Sequence, residues 1–257
     1  MTQPPFYSSV LDAGTVHTAI VDGVATIRFA HPKGNSLPGA LLARIAETIA
    51  LMGQEESARV IVLRSEGSGP FCAGASFDEF KAVRDAAGGK QFFSGFAKVI
   101  LAMIRSPKFV VTRVHGKTAG GGVGLVAASD YAIGVEGASL KLSELALGIG
   151  PFVVGPVIEK KIGLAAYSAM AIDADWRNAA WAERHGLYAE VLETVPGLDH
   201  RVDEFSRKLA GYDPAASRQL KEVLWQGTEH WPELLGARAE ISGTLVLSEY
   251  TQRAVAK

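Results

Sequence analysis

The sequence predicts an α/β fold in which parallel strands alternate with helices, followed by a helical C-terminal region. Three observations favour this class. Short apolar segments rich in β-branched residues alternate with longer segments whose apolar residues recur at helical spacing. Turns of small residues follow two of the predicted strands, and beyond about residue 155 the pattern becomes helical. Such alternation is typical of parallel crossovers, in which helices cover a sheet.

The predicted elements follow from local patterns, taken here in chain order. Strand-like patterns occur at 24–30 (VATIRFA), 59–64 (RVIVLR), 108–114 (KFVVTRV) and, in a shorter form, 138–144. Helical spacing occurs at 41–52, and an apolar helix is predicted from about 122 to 130. In the C-terminal region, Asp213 followed by Pro214 predicts a helix start, because an acid can cap the helix and proline is tolerated in its first turn.

These patterns predict one α/β core, residues 1–195, followed by a helical region, residues 196–257. No internal repeat or low-complexity linker separates the two parts. We therefore expect a helical tail attached to the core and not two independent domains.

Composition narrows the class of protein. The 257 residues are 48% hydrophobic and 21% charged, which is typical of a globular protein with a substantial core. The net charge of −1 gives no electrostatic reason to expect nucleic acid or an anionic membrane as partner. No apolar stretch reaches the roughly 18–20 residues of a membrane span, and the N-terminus lacks the pattern of a signal peptide. We expect a cytoplasmic protein.

Cysteine and histidine usage gives two further expectations. Cys72 is the only cysteine, so an internal disulfide is impossible, and it is expected to be a small buried residue. The six histidines are scattered, and no pair has the spacing of metal ligands on one helix face, so no metal is expected. Asp130 and His115 are both expected to have structural roles.

A run of glycines at the start of one predicted helix calls for an explanation. The segment HGKTAGGGVGLVAASD, 115–130, has glycine at positions 120, 121, 122 and 124. Because each ordered glycine costs roughly 0.5–1 kcal/mol relative to alanine, some group must approach this backbone closely. Three interpretations remain open: close packing of the helix, a dinucleotide site, and an oxyanion hole.

The dinucleotide interpretation depends on a short motif. Residues 122–127, GVGLVA, fit the pattern G-x-G-x-x-A, and Glu144 lies near the position of a ribose-binding acid. The fingerprint usually opens its domain, whereas about 120 residues precede it in this chain. A nicotinamide-dependent oxidoreductase is therefore the less favoured alternative. A phosphate-binding loop at GKT is excluded because position 111 is valine.

An oxyanion hole needs a second backbone N–H from another part of the chain. The segment GPFCAGASF, 69–77, is a turn of small residues that follows the strand predicted at 59–64. Both turns would lie at the carboxyl ends of parallel strands, where open α/β folds build their sites.

Three segments, in this order and spacing, resemble the enoyl-CoA hydratase/isomerase (crotonase) superfamily: FCAGASFDEF, VHGKTAGGGVGLVAASDYAIG and LKLSELALGIGP, with HPKGNSL upstream. The resemblance covers about residues 16–195. It implies a crotonase-like ββα spiral core with a C-terminal helical trimerisation region. It also implies an acyl-CoA thioester substrate, no cofactor besides the coenzyme A of that substrate, and a homotrimer or homohexamer.

The resemblance also implies roles for individual residues. The amides of Ala75 and Gly121 match the two donors that hold the thioester oxygen and stabilise an enolate. Glu144 matches a glutamate that moves protons at the α or γ carbon of the substrate. A carboxyl beside the apolar segment LALGIGPF should have a raised pKa, which suits acid–base catalysis. The alternative for Glu144 is an acid in the first turn of a helix.

Four further residues are expected to contact the substrate. Lys33 matches a position along the coenzyme A chain, although an ordinary surface lysine is the alternative. The carbonyl of Ala73 matches one that meets the adenine. Gly74 and Gly120 directly precede the two expected oxyanion donors and are assigned to substrate binding with them.

The sequence departs from the family pattern at functional positions. Gly124 stands where the hydratases have a second glutamate, and Phe152 follows Pro151 where they have a glycine whose amide helps to hold water. Ser76 stands where many relatives have aspartate, and Asp78 where many have a lysine that faces coenzyme A. One glutamate suffices for double-bond isomerisation, so we expect an isomerase before a hydratase. A family member that binds acyl-CoA without catalysis remains an alternative.

Overall fold

The computed structural model describes residues 13–256. Its strands are β1 (Thr15–Val21), β2 (Val24–Ala30), β3 (Ser36–Leu37), β4 (Val60–Ser65), β5 (Gly74–Ala75), β6 (Val110–Val114), β7 (Thr118–Ala119), β8 (Tyr131–Val135), β9 (Leu140–Lys141) and β10 (Glu190–Leu192). Six of them form the main sheet, in the order β1-β2-β4-β6-β8-β10. β1 and β2 are antiparallel, and every other neighbouring pair is parallel.

The helices are α1 (Gly39–Gln54), α2 (Phe77–Ala82), α3 (Ala86–Arg105), α4 (Gly121–Ala127), α5 (Gly155–Asp173), α6 (Ala179–Arg184), α7 (Val195–Ala210), α8 (Pro214–Leu224), α9 (Trp231–Leu245) and α10 (Glu249–Ala256). Residues Leu145–Leu147 form one turn of 3₁₀ helix. Side-chain hydrogen bonds to backbone amides cap the N-termini of several helices. The predicted start of α8 is confirmed, because the Asp213 carboxylate accepts a hydrogen bond of 2.7 Å from the amide of Ala216.

The four shortest strands form a second, narrow layer. β3 pairs with β5, and β7 pairs with β9, all in parallel. A parallel bridge between Cys72 and Thr118 joins the two pairs, and the amide of Ala119 donates to the carbonyl of Cys72 at 2.8 Å. The units that begin with β2, β4, β6 and β8 therefore each give one strand to the main sheet, one to the narrow layer, and then one or two helices. The predicted crotonase-like ββα spiral is confirmed.

The C-terminal helices pack on the rest of the chain. α7 lies across β4, β6 and β8, and α9 runs along α3. At the crossing of α3 and α9, a Cβ on Gly89 would lie 2.6 Å from the Cα of Gly243, so both glycines are needed for this approach. The division into a core, 1–195, and a helical region, 196–257, stays a prediction.

Several elements differ from the predicted ones. The helix expected at 122–130 ends at Ala127, and the strand expected at 138–144 is the two-residue β9 followed by a turn. β1, β8 and β10 and the long helix α3 were not predicted. β1 mixes exposed polar residues with apolar ones, and α3 contains three glycines, so neither shows a clean pattern.

Among residues 13–256, no helix has the length and apolar character that a membrane span requires. The same residues contain no cluster of three or more histidine, cysteine, aspartate or glutamate side chains arranged to hold a metal ion.

Candidate active site

The carboxyl ends of the short strands meet at one cavity of about 270 Å³. Its lining includes residues 73–75 beside β5, 120–121 after β7, and 143–144 after β9. Because β5, β7 and β9 run parallel in the narrow layer, the residues at their ends lie side by side. The structure thus brings Ala75, Gly121 and Glu144 to one cavity, although about 70 residues separate the first from the last.

Backbone hydrogen bonds fix the two predicted donor segments. Gly121 is the first residue of α4, where backbone N–H groups have no partner within the helix. The amide of the preceding Gly120 donates to the carbonyl of Lys141 at 2.9 Å, which ties the start of α4 to β9. Ala75 pairs with Leu37 in the narrow layer, and its carbonyl accepts from the hydroxyl of Ser36 at 2.9 Å.

Three of the four glycines are explained by packing, one of the interpretations left open by the sequence. A Cβ on any of them would overlap a neighbouring side chain. The closest approaches would be 2.4 Å from Gly121 to the ring of Phe96, 2.7 Å from Gly122 to Cys72, and 2.6 Å from Gly124 to Val154. These glycines therefore allow α4 to lie against its neighbours.

Gly120 has a different reason for being glycine. Its φ of +53° and ψ of −124° form a conformation that other residues rarely adopt. A Cβ on Gly120 would also lie 3.2 Å from Oε1 of Glu144. The absent side chain therefore leaves room for that carboxyl group on the cavity.

Glu144 is held in the turn between β9 and the 3₁₀ helix. Its Oε2 is buried and has no hydrogen-bond partner among the described residues. Burial raises the pKa of the Glu144 carboxyl to about 7, while the backbone amides of Glu144 and Ser143 act in the opposite direction. A carboxyl with this pKa can both accept and return a proton near neutral pH.

The rest of the cavity wall is mainly apolar. The segment LALGIGPF, which was expected to be apolar wall, supplies part of it. Glu144 is the one charged side chain in the lining that the structure describes. Six phenylalanines belong to this wall. Phe152 lies in the predicted segment LALGIGPF, whereas the sequence analysis missed the other five: Phe77, Phe80, Phe92, Phe93 and Phe96. The segments FDEF and QFFSGF were the available signal, but only the packing of α2 and α3 shows that these rings face one cavity.

Gly124 and Phe152 stand where the family resemblance places a second glutamate and a water-holding amide in the hydratases. In this chain, neighbouring groups take up both positions. Beside Gly124, the side chains of Val154 and Ile100 fill the space. The amide of Phe152 donates to the carbonyl of Gly150 at 2.7 Å, and the Phe152 ring lies over that glycine. Neither position offers the cavity a second acid or a free amide.

The expected substrate-binding residues divide into two groups. Ala73, Gly74 and Gly120 line the cavity. Lys33 lies outside that lining and forms an exposed ion pair with Asp78. The hydrogen bond from Lys33 lowers the pKa of the Asp78 carboxyl.

The three residues expected to be structural are packed away from the cavity lining. Asp130 accepts hydrogen bonds from the indole of Trp225 and the amide of Val110, both at 2.7 Å. Burial lowers the pKa of His115 to about 4 and raises that of Cys72 to about 12. At neutral pH His115 is therefore uncharged, and Cys72 is an unreactive thiol.

Comparisons with known proteins agree with this architecture. Residues 19–246 match the sequence profile of the family described as enoyl-CoA hydratase/isomerase. Methylglutaconyl-CoA hydratase, mitochondrial, of Rattus norvegicus is 28% identical over 199 residues, which cover 76% of this chain and 63% of that protein. Carnitinyl-CoA dehydratase of Proteus mirabilis is 25% identical over 252 residues, 91% of this chain and 95% of the dehydratase.

Structural similarity extends over almost the whole chain. The crystal structure of enoyl-CoA hydratase from Bacillus halodurans has a TM-score of 0.86, at 21% identity, and covers 94% of this chain and 98% of that one. This similarity supports the fold. The match of the family profile extends from β1 into the C-terminal helices and leaves the nicotinamide interpretation without support. The chain belongs to the enoyl-CoA hydratase/isomerase (crotonase) family.

Proposed function

We propose that this protein is an acyl-CoA enzyme that moves the double bond of an enoyl-CoA. In this proposal the amides of Ala75 and Gly121 hold the thioester oxygen, and Glu144 transfers the proton. The observation that supports it most is the position of Glu144 beside both donor segments, as the one charged side chain among the lining residues within 13–256. A homotrimer or homohexamer and a cytoplasmic location stay predictions of the sequence.

The proposed reaction begins with a 3-enoyl-CoA. The ionised carboxylate of Glu144 removes a proton from the α carbon, and the electrons of that C–H bond delocalise onto the thioester oxygen as a dienolate. Hydrogen bonds from the two amides stabilise this negative charge, and one such donor typically contributes about 2.7–4 kcal/mol to the transition state. The protonated Glu144 then returns the proton to the γ carbon, which gives the 2-enoyl-CoA.

The pKa of Glu144 and the apolar wall suit this sequence of steps. A pKa of about 7 means that the acid and base forms are both available near neutral pH. Phenylalanine, valine and isoleucine side chains on the wall keep water from the dienolate. The reaction needs no cofactor other than the coenzyme A of the substrate.

Hydration is the second candidate, favoured by the relatives that are named hydratase and dehydratase. Addition of water requires the water to be held as well as deprotonated. At Gly124 the side chains of Val154 and Ile100 occupy the space beside the backbone, so a second carboxylate is missing there. This packing is why we place isomerisation first.

Parallel assays distinguish the candidates. We expect conversion of 3-hexenoyl-CoA to 2-hexenoyl-CoA to exceed hydration of crotonyl-CoA, and Glu144→Gln to lower the isomerisation rate by about 10²–10⁴-fold. Faster hydration that is lost in Glu144→Gln would reverse the order of the two candidates. Binding of both thioesters without any turnover would instead support a family member that has lost catalysis.

A further inference from the structure

Six of the eleven phenylalanines in the chain line the candidate active site. Phe77 and Phe80 come from α2, and Phe92, Phe93 and Phe96 come from α3. The sixth, Phe152, precedes α5. We call these six residues the aromatic wall. It is distinct from the rest of the core, which is built mainly from valine, leucine, isoleucine and alanine.

The rings of the aromatic wall contact one another. Phe92 and Phe93 meet edge to face with centroids 5.0 Å apart, and Phe80 lies 5.8 Å from Phe92 and 6.2 Å from Phe93. Phe96, which is 4% exposed, lies at the inner end of the cavity beside Gly121. Phe77, which is 46% exposed, extends the aromatic wall to the protein surface. Phe92 and Phe93 are only half-buried, so their rings present area to the cavity.

Away from the two donor amides, the described lining offers few side chains that could pair with a charged substituent on the acyl chain. Apart from Glu144, the polar side chains of the lining that the structure describes are the hydroxyls of Ser143 and Ser242. A carboxylate on the substrate would lose its hydration and lie near another acid. A cation would lose its hydration in a mainly apolar cavity, and the phenylalanine rings are weaker cation–π partners than tryptophan.

From these contacts, and resting on the function proposed above, we infer that the natural substrate carries an uncharged acyl group with an aromatic ring. Such a ring can pack edge to face or offset against Phe92 and Phe93. The cavity of about 270 Å³ is smaller than the roughly 300–1,000 Å³ of a pocket for a whole drug-sized ligand, so it accommodates the acyl end while coenzyme A lies outside.

Binding of thioesters that do not react tests this inference separately from catalysis. Calorimetry on the wild-type protein would compare acetyl-CoA, benzoyl-CoA, hexanoyl-CoA, adipoyl-CoA and 4-trimethylammoniobutanoyl-CoA. We expect benzoyl-CoA to bind at least about tenfold more tightly than acetyl-CoA, and adipoyl-CoA at least about tenfold more weakly than hexanoyl-CoA. Binding of the adipoyl or trimethylammonio ester as tight as that of hexanoyl-CoA would overturn the inference, as would benzoyl-CoA no tighter than acetyl-CoA.

A matched pair of variants tests whether the preference for the aromatic acyl group comes from the aromatic wall. Phe92→Leu should lower the affinity ratio of benzoyl-CoA to acetyl-CoA by about 2- to 12-fold, which corresponds to roughly 0.5–1.5 kcal/mol for one aromatic pair. Phe205 is the control, because it is also half-buried but contacts Tyr131, 4.3 Å away between centroids, outside the cavity. Phe205→Leu should leave the ratio at its wild-type value.

The outcomes separate the inference from the proposed function. If acetyl-CoA binds but Phe92→Leu and Phe205→Leu have the same ratio as the wild type, the aromatic wall does not select the acyl group. If none of the thioesters binds, the acyl-CoA site itself is wrong and both proposals fail. Should Phe92→Leu unfold at the assay temperature, Phe93→Leu replaces it in the same comparison.

Discussion

At the scale of single residues, the chemistry depends on the environment of one carboxyl group. Glu144 has a raised pKa because it is buried on an apolar cavity, and Gly120 leaves the space that it occupies. A carboxylate in water would be a weak base toward a C–H bond, whereas burial raises its basicity. The same burial means that the active form of Glu144 is gained only as pH rises through about 7.

This pKa predicts the pH dependence of the reaction. Between pH 5 and 9, kcat/KM for isomerisation of 3-hexenoyl-CoA should rise with pH and level off above an apparent pKa near 7, because only the carboxylate can accept the α proton. A pH–rate profile under kcat/KM conditions measures this limb. A profile that is flat from pH 6 to 8, or one that falls, would contradict the role of Glu144 as the base.

The resemblance to the crotonase family predicts that Ala75, Gly121 and Glu144 belong to one site, and all three line one cavity. Apart from Phe152, the aromatic wall was not predicted, because a helix such as α3 offers several faces and the sequence does not say which face meets the cavity. The ion pair between Lys33 and Asp78 was also missed, because 45 residues separate its partners and neither lies in a regular pattern.

At the scale of elements, α4 depends on glycine for its contacts with neighbouring helices. A Cβ on Gly124 would lie 2.6 Å from Cγ1 of Val154, at the N-terminal end of α5. Gly124→Ala should therefore lower the free energy of unfolding by about 1–3 kcal/mol through overpacking, as urea denaturation would measure. Adding Val154→Ala to this variant should recover part of the loss.

The control for this experiment is Gly137→Ala. A Cβ on Gly137 would have no atom within 4 Å, and the position is exposed. If Gly124→Ala and Gly137→Ala have equal stability, the glycines of α4 are not required for packing, and their explanation must be sought in the ligand.

Prediction of the elements succeeded where the local pattern was strong. The strands expected at 24–30, 59–64 and 108–114 are β2, β4 and β6, and the helix expected at 41–52 is α1. The narrow layer is different: its strands have two residues each, too few for any periodicity. Those strands exist because the spiral places them side by side, and this is a tertiary effect.

At the scale of the whole molecule, a buried ion pair connects the C-terminal helix α8 to the core. The Nζ of Lys221, on α8, lies 2.7 Å from Oδ2 of Asp130. It also donates to the carbonyls of Met103 at 2.7 Å and Lys108 at 2.8 Å, so it joins α8 to the end of α3 and the start of β6. Burial lowers the pKa of Lys221, while the charge of Asp130 opposes this effect.

Removing the ammonium group of Lys221 should destabilise the folded protein. Lys221→Met leaves the buried Asp130 carboxylate without its direct ion-pair partner, and we expect the free energy of unfolding to fall by about 3–5 kcal/mol in urea denaturation. Lys208→Met, on the exposed side of α7, is the matched control and should change stability by less than about 0.5 kcal/mol. A loss below about 1 kcal/mol in Lys221→Met would show that the pair does not hold α8 in place.

In the proposed mechanism the backbone amides of Ala75 and Gly121 converge on the thioester oxygen, with Glu144 beside the reacting carbons. A crystal structure of the protein with a bound, unreactive acyl-CoA tests it most directly. We expect the thioester oxygen to lie about 2.7–3.1 Å from both amide nitrogens and the Glu144 carboxyl to face the α carbon. A thioester oxygen held by other groups, or an acyl chain that leaves the cavity of Glu144 empty, would contradict it.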